Sequence, residues 1–317
     1  MKAVSFIICS HKAPATLHDT LRSIAGQSGL DSAEVILVNN GFSAQKEDSI
    51  RQFMNSHGRG VEFQIVREAT PGLGFARRRG FTAANGQFLV LLDDDNTLGR
   101  DFLSHLLDVI GRFPDVGGIC PIVEPVWERR PDDWLVDFGR LCLSYNADGK
   151  YRPPFRERYW PPGEAHKAMR PPGGGMIIHR KVALDYMERV KDPKRIALAR
   201  QPKSLVGCED EDIFSGVARL GLGVYFTSCL RVFHSIPISR IQFTYLVRLN
   251  YQMLYSYGVL GRIAGEYDVI RFRSNIRHFL GHAFYLGLDS LRGRKAARHC
   301  MLELARDVGL LVGYLGC

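Results

Sequence analysis

Apolar residues gather in short runs along the first third of the chain: Val4 to Cys9 (VSFIIC), Glu34 to Val38 (EVILV) and Phe88 to Leu92 (FLVLL). Short runs rich in β-branched residues and bounded by turn signals predict strands buried on both faces. Glu62–Val66 predicts another strand, and so does MIIH after Gly173-Gly174-Gly175. Between the runs the period changes. Leu17, Leu21 and Ile24 recur at helical spacing within Ala15–Ala25, and Ser49–Ser56 and Gly80–Ala84 predict two more helices. Alternating strands and helices predict an α/β fold, a mostly parallel, doubly wound sheet with helices on both faces. Ligands of such sheets sit beyond the carboxyl ends of the strands, and Asp93-Asp94-Asp95 stands at that end of the most apolar run.

Further along, the pattern loosens. Glu124–Pro172, rich in Pro, Arg and aromatic residues, predicts an active-site loop region or a mobile lid. Asp212–Leu220 predicts a helix, and Val224–Phe226 and Val232–Phe233 two short strands. Beyond Pro237 the spacing of Phe243, Leu246, Leu249, Met253 and Tyr257 is helical, which divides the chain into residues 1–237 and a helical extension over 238–317. Its tail mixes Ile276, Phe279, Leu280, Phe284 and Leu286 with Arg271, Arg273, Arg277, Arg292, Arg294, Lys295 and Arg298. Such a basic amphipathic tail either rests on an anionic membrane surface or packs as a cap with a solvated basic face.

Composition adds limits. A chain of 317 residues with 45% hydrophobic and 24% charged residues is an ordinary globular protein. Its formal charge of +9 favours an anionic partner without choosing one. The 7 cysteines are scattered and form no CxxC pair, so free thiols in a reducing cytosol are expected rather than disulfides or a zinc site. The N-terminus lacks the long apolar stretch of a signal peptide, and no run of about 18 apolar residues occurs. The expected location is cytoplasmic, with peripheral contact at the inner face of the cell membrane if the tail provides it.

Candidate chemistry clusters at the acids. Asp93 and Asp95 either turn two carboxylates toward one hard divalent cation, Mg2+ or Mn2+, or form an acidic turn capping the next element through Asn96 or Thr97. Glu209-Asp210-Glu211-Asp212 precedes a helix. The positive helix end accounts for one or two of these acids, and a general base would account for another. His234, after RVF, is a core histidine or a metal ligand. PGLGFARRRG, with Gly74 and Arg77, joins backbone that can approach phosphate to charge that can neutralise it, although some of its arginines are a solvated face. Gly173–Gly175 permits either a bulky ligand or a tight turn.

Taken in order, VSFIICSHK, EVILVNNGFS, GLGFARRRG, FLVLLDDDN, GGGMIIHR, GCEDEDIFSGVARLG and FH resemble the family-2 glycosyltransferases of GT-A fold over most of Val4 to His234. The resemblance implies a GT-A catalytic domain over 1–237, with nucleotide-sugar binding in 1–100 and the acceptor side in 101–237. It implies that Cys9, Ser10, His11, Asn39 and Asn40 hold the donor nucleotide, with Gly74, Arg77, Asp93, Asp94, Gly174 and Gly175 lining the donor site. Asp95 would be the leading metal ligand, with Asp93 and His234 beside it; Glu209-Asp210 matches the ED motif, with Asp210 the expected base and Asp212 its competitor. The implied reaction is inverting, metal-dependent transfer from a nucleotide-sugar, a UDP-sugar by family habit, to a glycan or lipid-linked glycan in cell-surface polysaccharide or glycolipid synthesis. Two departures bear on this: Asn39 stands where the family carries Asp, and Ser10-His11-Lys12 replaces its more familiar turn. A nucleotidyltransferase would need a similar carboxylate site. A non-catalytic basic membrane or nucleic-acid binder would need only the positive charge, but no nucleic-acid motif is present and the acids would repel that partner, so nucleic acid is not expected.

Overall fold

In a computed structural model, described for residues 2–132, 135, 143, 145–147, 153–196, 198–200, 204–263 and 294–315, the apolar runs form the inner strands of a 9-stranded sheet. β1 (Val4–Ser10) lies between β2 (Ala33–Asn39) and β4 (Phe88–Asp93), β3 (Glu62–Arg67) lies outside β2, and all these pairs are parallel. Both faces are covered, which is why the runs do not alternate with polar residues. Val4, Phe6 and Ile8 join one core with Leu17, Leu21 and Ile24 of α1 (Thr16–Ala25). Ile7, Ile36 and Val38 join the opposite core with Ala76 and Phe81 of α3 (Leu73–Ala83). Each such Ile or Leu contributes about 1.5–3 kcal/mol when taken out of water. α2 (Ala44–His57) makes the crossover between β2 and β3.

The second half of the sheet is mixed. β8 (Ile177–His179) runs antiparallel to both β4 and β6 (Val116–Trp127). β9 (Gly223–Ile236) is parallel to β6 and antiparallel to β5 (Asn96–Leu98) and β7 (Glu157–Trp160). The two short strands expected at Val224–Phe226 and Val232–Phe233 are arms of this one strand: the ladder slips between Cys120 and Ile122, opposite the polar stretch after Phe226 that broke the apolar pattern. Strands β6 and β7 also occupy part of the expected loop region; much of 133–152 lies outside the described residues.

Three helices, α2, α3 and the one that carries the acids, start earlier than their apolar periodicity suggests. α3 begins at Leu73, not Gly80, so Arg77, Arg78 and Arg79 lie within it; Gly72 supplies the N-cap at φ 137, a conformation few side chains tolerate. After α4 (Phe102–Arg112), α5 (Arg180–Arg189) and the single turn α6 (Pro193–Ile196), α7 (Glu209–Arg219) begins at Glu209 rather than Asp212, with all four acids in its first turn. There the unpaired N–H groups and positive helix end favour carboxylates.

In the extension, α8 (Phe243–Ile263) and α9 (Arg294–Leu315) pack so closely that a Cβ at Gly309 or Gly313 would strike the carbonyls of Tyr251 and Tyr255. The stretch 264–293, which carries Arg271, Arg273, Arg277 and Arg292, lies outside the described residues. Among the described residues no helix is long and apolar enough to cross a membrane, and Cys9, Cys120, Cys208 and Cys229 are free thiols.

Candidate active site

The aspartates leave the end of β4 and are met there by β9. The β5–β9 ladder sets Asn96 opposite His234, and the Ser235 N–H donates to the Asp95 carbonyl at 3.0 Å. His234 Nε2 thereby stands 3.7 Å from Asp95 Oδ1. Arg240, on the turn Ile238–Ile241 just after β9, reaches back to both: its guanidinium is 3.2 Å from Asp95 Oδ2 and 3.1 Å from His234 Nε2. Burial opposes charge on Asp95, but His234 and Arg240 outweigh it and hold its carboxyl below the usual range. Asp94 is pushed up to about 6 by burial, despite a 2.5 Å hydrogen bond from Ser10 Oγ.

Asp93 faces the glycines. Antiparallel pairing of β8 with β4, extended by the Gly175 N–H donating to the Leu91 carbonyl at 2.7 Å, lays Gly173–Gly175 beside the end of β4. A Cβ on Gly174 would lie 2.7 Å from Asp93 Oδ2 and 2.5 Å from Asn96 Oδ1; one on Gly173 would lie 2.9 Å from Asp210 Oδ2. Gly175 adopts φ +99. Adjacent glycines therefore place the carboxylate that ends β4 and one that begins α7 on the same strip of bare backbone.

The acids of α7 have separate environments. Glu209 is 2% exposed and bound by Arg77 at 3.0 Å and by Tyr186, whose hydroxyl donates at 2.9 Å. Burial raises its carboxyl, and Arg77 and Tyr186 only partly offset this. A Cβ on Gly74 would meet Glu209 Oε1 at 2.9 Å, so that glycine makes room for the pair. Glu211 pairs with Arg170 at 2.5 Å and accepts from Tyr257 of α8 at 3.0 Å. Asp212 is buried and held by Arg189 and by Arg195. Asp210 is half-buried and, among the described residues, has no ion-pair partner; its Oδ1 accepts the Glu211 N–H at 3.1 Å.

The residues expected to hold a nucleotide converge on the loops after β1 and β2, where several are internally engaged. Cys9 lies opposite Asp93 in the β1–β4 ladder, and burial drives its thiol well up, away from nucleophilic reactivity. His11 Nδ1 meets the Asn40 carbonyl at 2.7 Å. The Asn40 amide donates to the carbonyls of Glu68 and Thr70 and accepts the Gly72 N–H, anchoring the loop that enters α3. Asn39 Oδ1 accepts from Gly41 and Phe42, while its NH2 donates to the Phe42 carbonyl and, at 2.7 Å, to Glu47. Glu47, paired with Arg67, gives a physical reason for Asn where the family carries Asp: a second carboxylate would face it. Asn39→Asp is expected to lower stability by about 1–3 kcal/mol in urea unfolding at neutral pH; an unchanged midpoint would refute this role.

Among the described residues no three His, Cys, Asp or Glu side chains converge into a metal cage. Mg2+ and Mn2+ do not require one, since they commonly take one or two carboxylates and complete their shell with water and substrate phosphate. The Asp95 carboxylate and His234 Nε2 face one point, and the other ring nitrogen, buried Nδ1, has no hydrogen-bond partner among the described residues. This set fits an ion shared with a diphosphate. Sequence reasoning did not find Arg240, Tyr186, Arg189 or Arg195: none sits in a motif, and only the fold brings them to the acids.

The pattern of the family described as glycosyl transferase family 2 matches residues 5–183, more than half of the chain. The chain belongs to this family of transferases. EpsH of Bacillus subtilis (strain 168) is 26% identical over 114 residues, 36% of this chain and 32% of EpsH. The succinoglycan biosynthesis protein ExoM of Rhizobium meliloti (strain 1021) is 23% identical over 257 residues, 80% of this chain and 73% of ExoM. The crystal structure of GalNAc-T7 with UDP, GalNAc and Mn2+ superposes with a TM-score of 0.50 at 19% identity, covering 74% of this chain and 43% of that one. The chain thus spans about a third of EpsH and less than half of GalNAc-T7. The architecture of this family-2 member is GT-A: a curled α/β sheet followed by C-terminal helices.

Proposed function

We propose that this family-2 transferase is an inverting, metal-dependent glycosyltransferase that moves a sugar from a UDP-sugar to a hydroxyl of a glycan or lipid-linked glycan. One observation carries the reading: Asp93 and Asp210, from motifs more than 100 residues apart, close on the neighbouring glycines Gly174 and Gly173. A donor sugar laid along that strip has the diphosphate-binding carboxylates on one side and, on the other, a carboxylate with no ion-pair partner among the described residues.

Asp95 and His234, with Asp93 nearby, would hold a divalent ion, which supplies Lewis-acid neutralisation of the diphosphate leaving group. Asp210 accepts the proton of the acceptor hydroxyl as that oxygen attacks the anomeric carbon from the face opposite the leaving phosphate. The new glycosidic bond forms as the carbon–phosphate oxygen bond breaks, the electron pair leaves with the diphosphate, and one displacement inverts the centre. Asp210 is favoured over Asp212 and Glu209 because both rivals are buried in ion pairs. Arg77 pairs with Glu209 through one terminal nitrogen, fixing the first turn of α7, and sets the other beside Gly173 on the glycine strip. The backbones around Ser10, His11, Asn39 and Asn40 shape the nucleotide pocket. UDP and Mn2+ in GalNAc-T7 support the choice of nucleotide and ion, and the name of ExoM supports a place in polysaccharide biosynthesis.

Incubation with a panel of UDP-sugars and Mn2+ should release UDP and yield a product of inverted anomeric configuration by NMR, and chelation should stop it. Turnover of nucleoside triphosphates to pyrophosphate, with nucleotide-sugars untouched, would assign the site to nucleotidyl transfer instead.

A further inference from the structure

The turn after β9 brings a cation to the point where a divalent ion is expected. Arg240 has both faces of that point at once: one guanidinium nitrogen lies 3.2 Å from Asp95 Oδ2 and the other 3.1 Å from His234 Nε2. His234 Nε2 thus lies between the Asp95 carboxylate and the guanidinium, and it is the ring nitrogen that a metal at this point would use. The Arg240 side chain is 33% exposed, whereas those of Asp95 and His234 are 14% and 4% exposed. The carboxylate and imidazole are fixed by the β5–β9 ladder, and the arginine is the member free to leave toward solvent.

We propose that Arg240 is a donor-diphosphate residue that exchanges places with the divalent ion. In its observed position the guanidinium neutralises Asp95 and occupies His234. A divalent ion held by these two ligands would repel the guanidinium by like charge and leave it available to the diphosphate. A planar guanidinium pairs with phosphate oxygens through two parallel hydrogen bonds, a geometry an ammonium cannot reproduce. This rests on the metal-dependent transferase reading above, and it predicts effects of opposite sign for the two ligands.

The test is calorimetric or EPR titration of the full chain with Mn2+ alone, and then of UDP, GDP and dTDP in parallel at saturating Mn2+. Removing the competing charge in Arg240→Gln should tighten Mn2+ alone by about tenfold, consistent with a contact ion pair that is partly screened by solvent. The same variant should weaken the nucleoside diphosphate that the wild type binds by about tenfold, the scale of one charge-assisted contact. Arg240→Lys, which keeps the charge and loses the fork, should leave Mn2+ affinity near that of the wild type and still weaken the diphosphate. If in Arg240→Gln either affinity is unchanged, or both move the same way, Arg240 is a structural ion pair and the proposal falls. A wild type that binds neither Mn2+ nor any of the diphosphates would overturn the underlying reading of the site, and this one with it.

Discussion

Replacing Asp210 by Asn should cut turnover by roughly 100- to 10,000-fold, the usual contribution of a positioned general base, while donor affinity stays within a few fold. The substitution keeps the shape of the side chain and its hydrogen bond from the Glu211 N–H, and removes only the capacity to take a proton. Steady-state kinetics beside calorimetry of UDP with Mn2+ separates the two effects. Asp212→Asn is the informative contrast. Asp212 is 2% exposed and answers two arginines, so its loss should appear as reduced stability, with turnover of the folded fraction retained. If Asp210→Asn turned over normally and Asp212→Asn did not, the base would be two residues further along α7, about half a helical turn from where the geometry favours it.

Arg77→Met should be among the most destabilising single changes in the chain, by about 3–5 kcal/mol, because it strands a buried carboxylate. Arg77 and Glu209 are 6% and 2% exposed, and the pair fastens α3 to the first turn of α7. The pH dependence follows from the direction of the Glu209 shift. Burial already holds its folded pKa above the ordinary value, and loss of Arg77, the largest opposing influence, raises it further. A group with a raised folded pKa contributes stability below its unfolded pKa and loses it as pH rises through the folded one. The deficit of Arg77→Met should therefore be smaller in mild acid than at pH 8 in urea unfolding. Adding Glu209→Gln should recover much of the loss at neutral pH. A pH-independent deficit with no recovery would mean that the side-chain volume of Arg77, and not its charge, supports the site.

Much of the first half of the fold was legible in the residues. VSFIIC, EVILV and FLVLL are unbroken because each strand is buried on both faces, and this two-sided burial is a local, countable property of the sequence. The position of the aspartates at a strand end was legible for the same reason. Helix starts were less so: α3 opens on Gly72 and runs through Arg77, whose charge masks its burial in any apolar pattern, and four acids hide the start of α7. β9 looked like two strands because its irregular middle is polar.

The sequence by itself determined the residue types of the site and their order: aspartates at the end of a buried strand, glycines before another, acids opening a helix, a histidine near the end of the last strand. What each of them touches was decided by tertiary structure. Identical carboxyl groups in Glu209-Asp210-Glu211-Asp212 differ because partners arrive from elsewhere in the chain: Arg77 and Tyr186 for the first, Arg170 and Tyr257 for the third, Arg189 and Arg195 for the fourth. Asp210 is set apart by what does not reach it among the described residues, and Arg240 by what it reaches across the end of β9. Charge, burial and hydrogen bonding act through space over a few ångströms, so a side chain's role depends on neighbours that only the closed sheet brings within that distance.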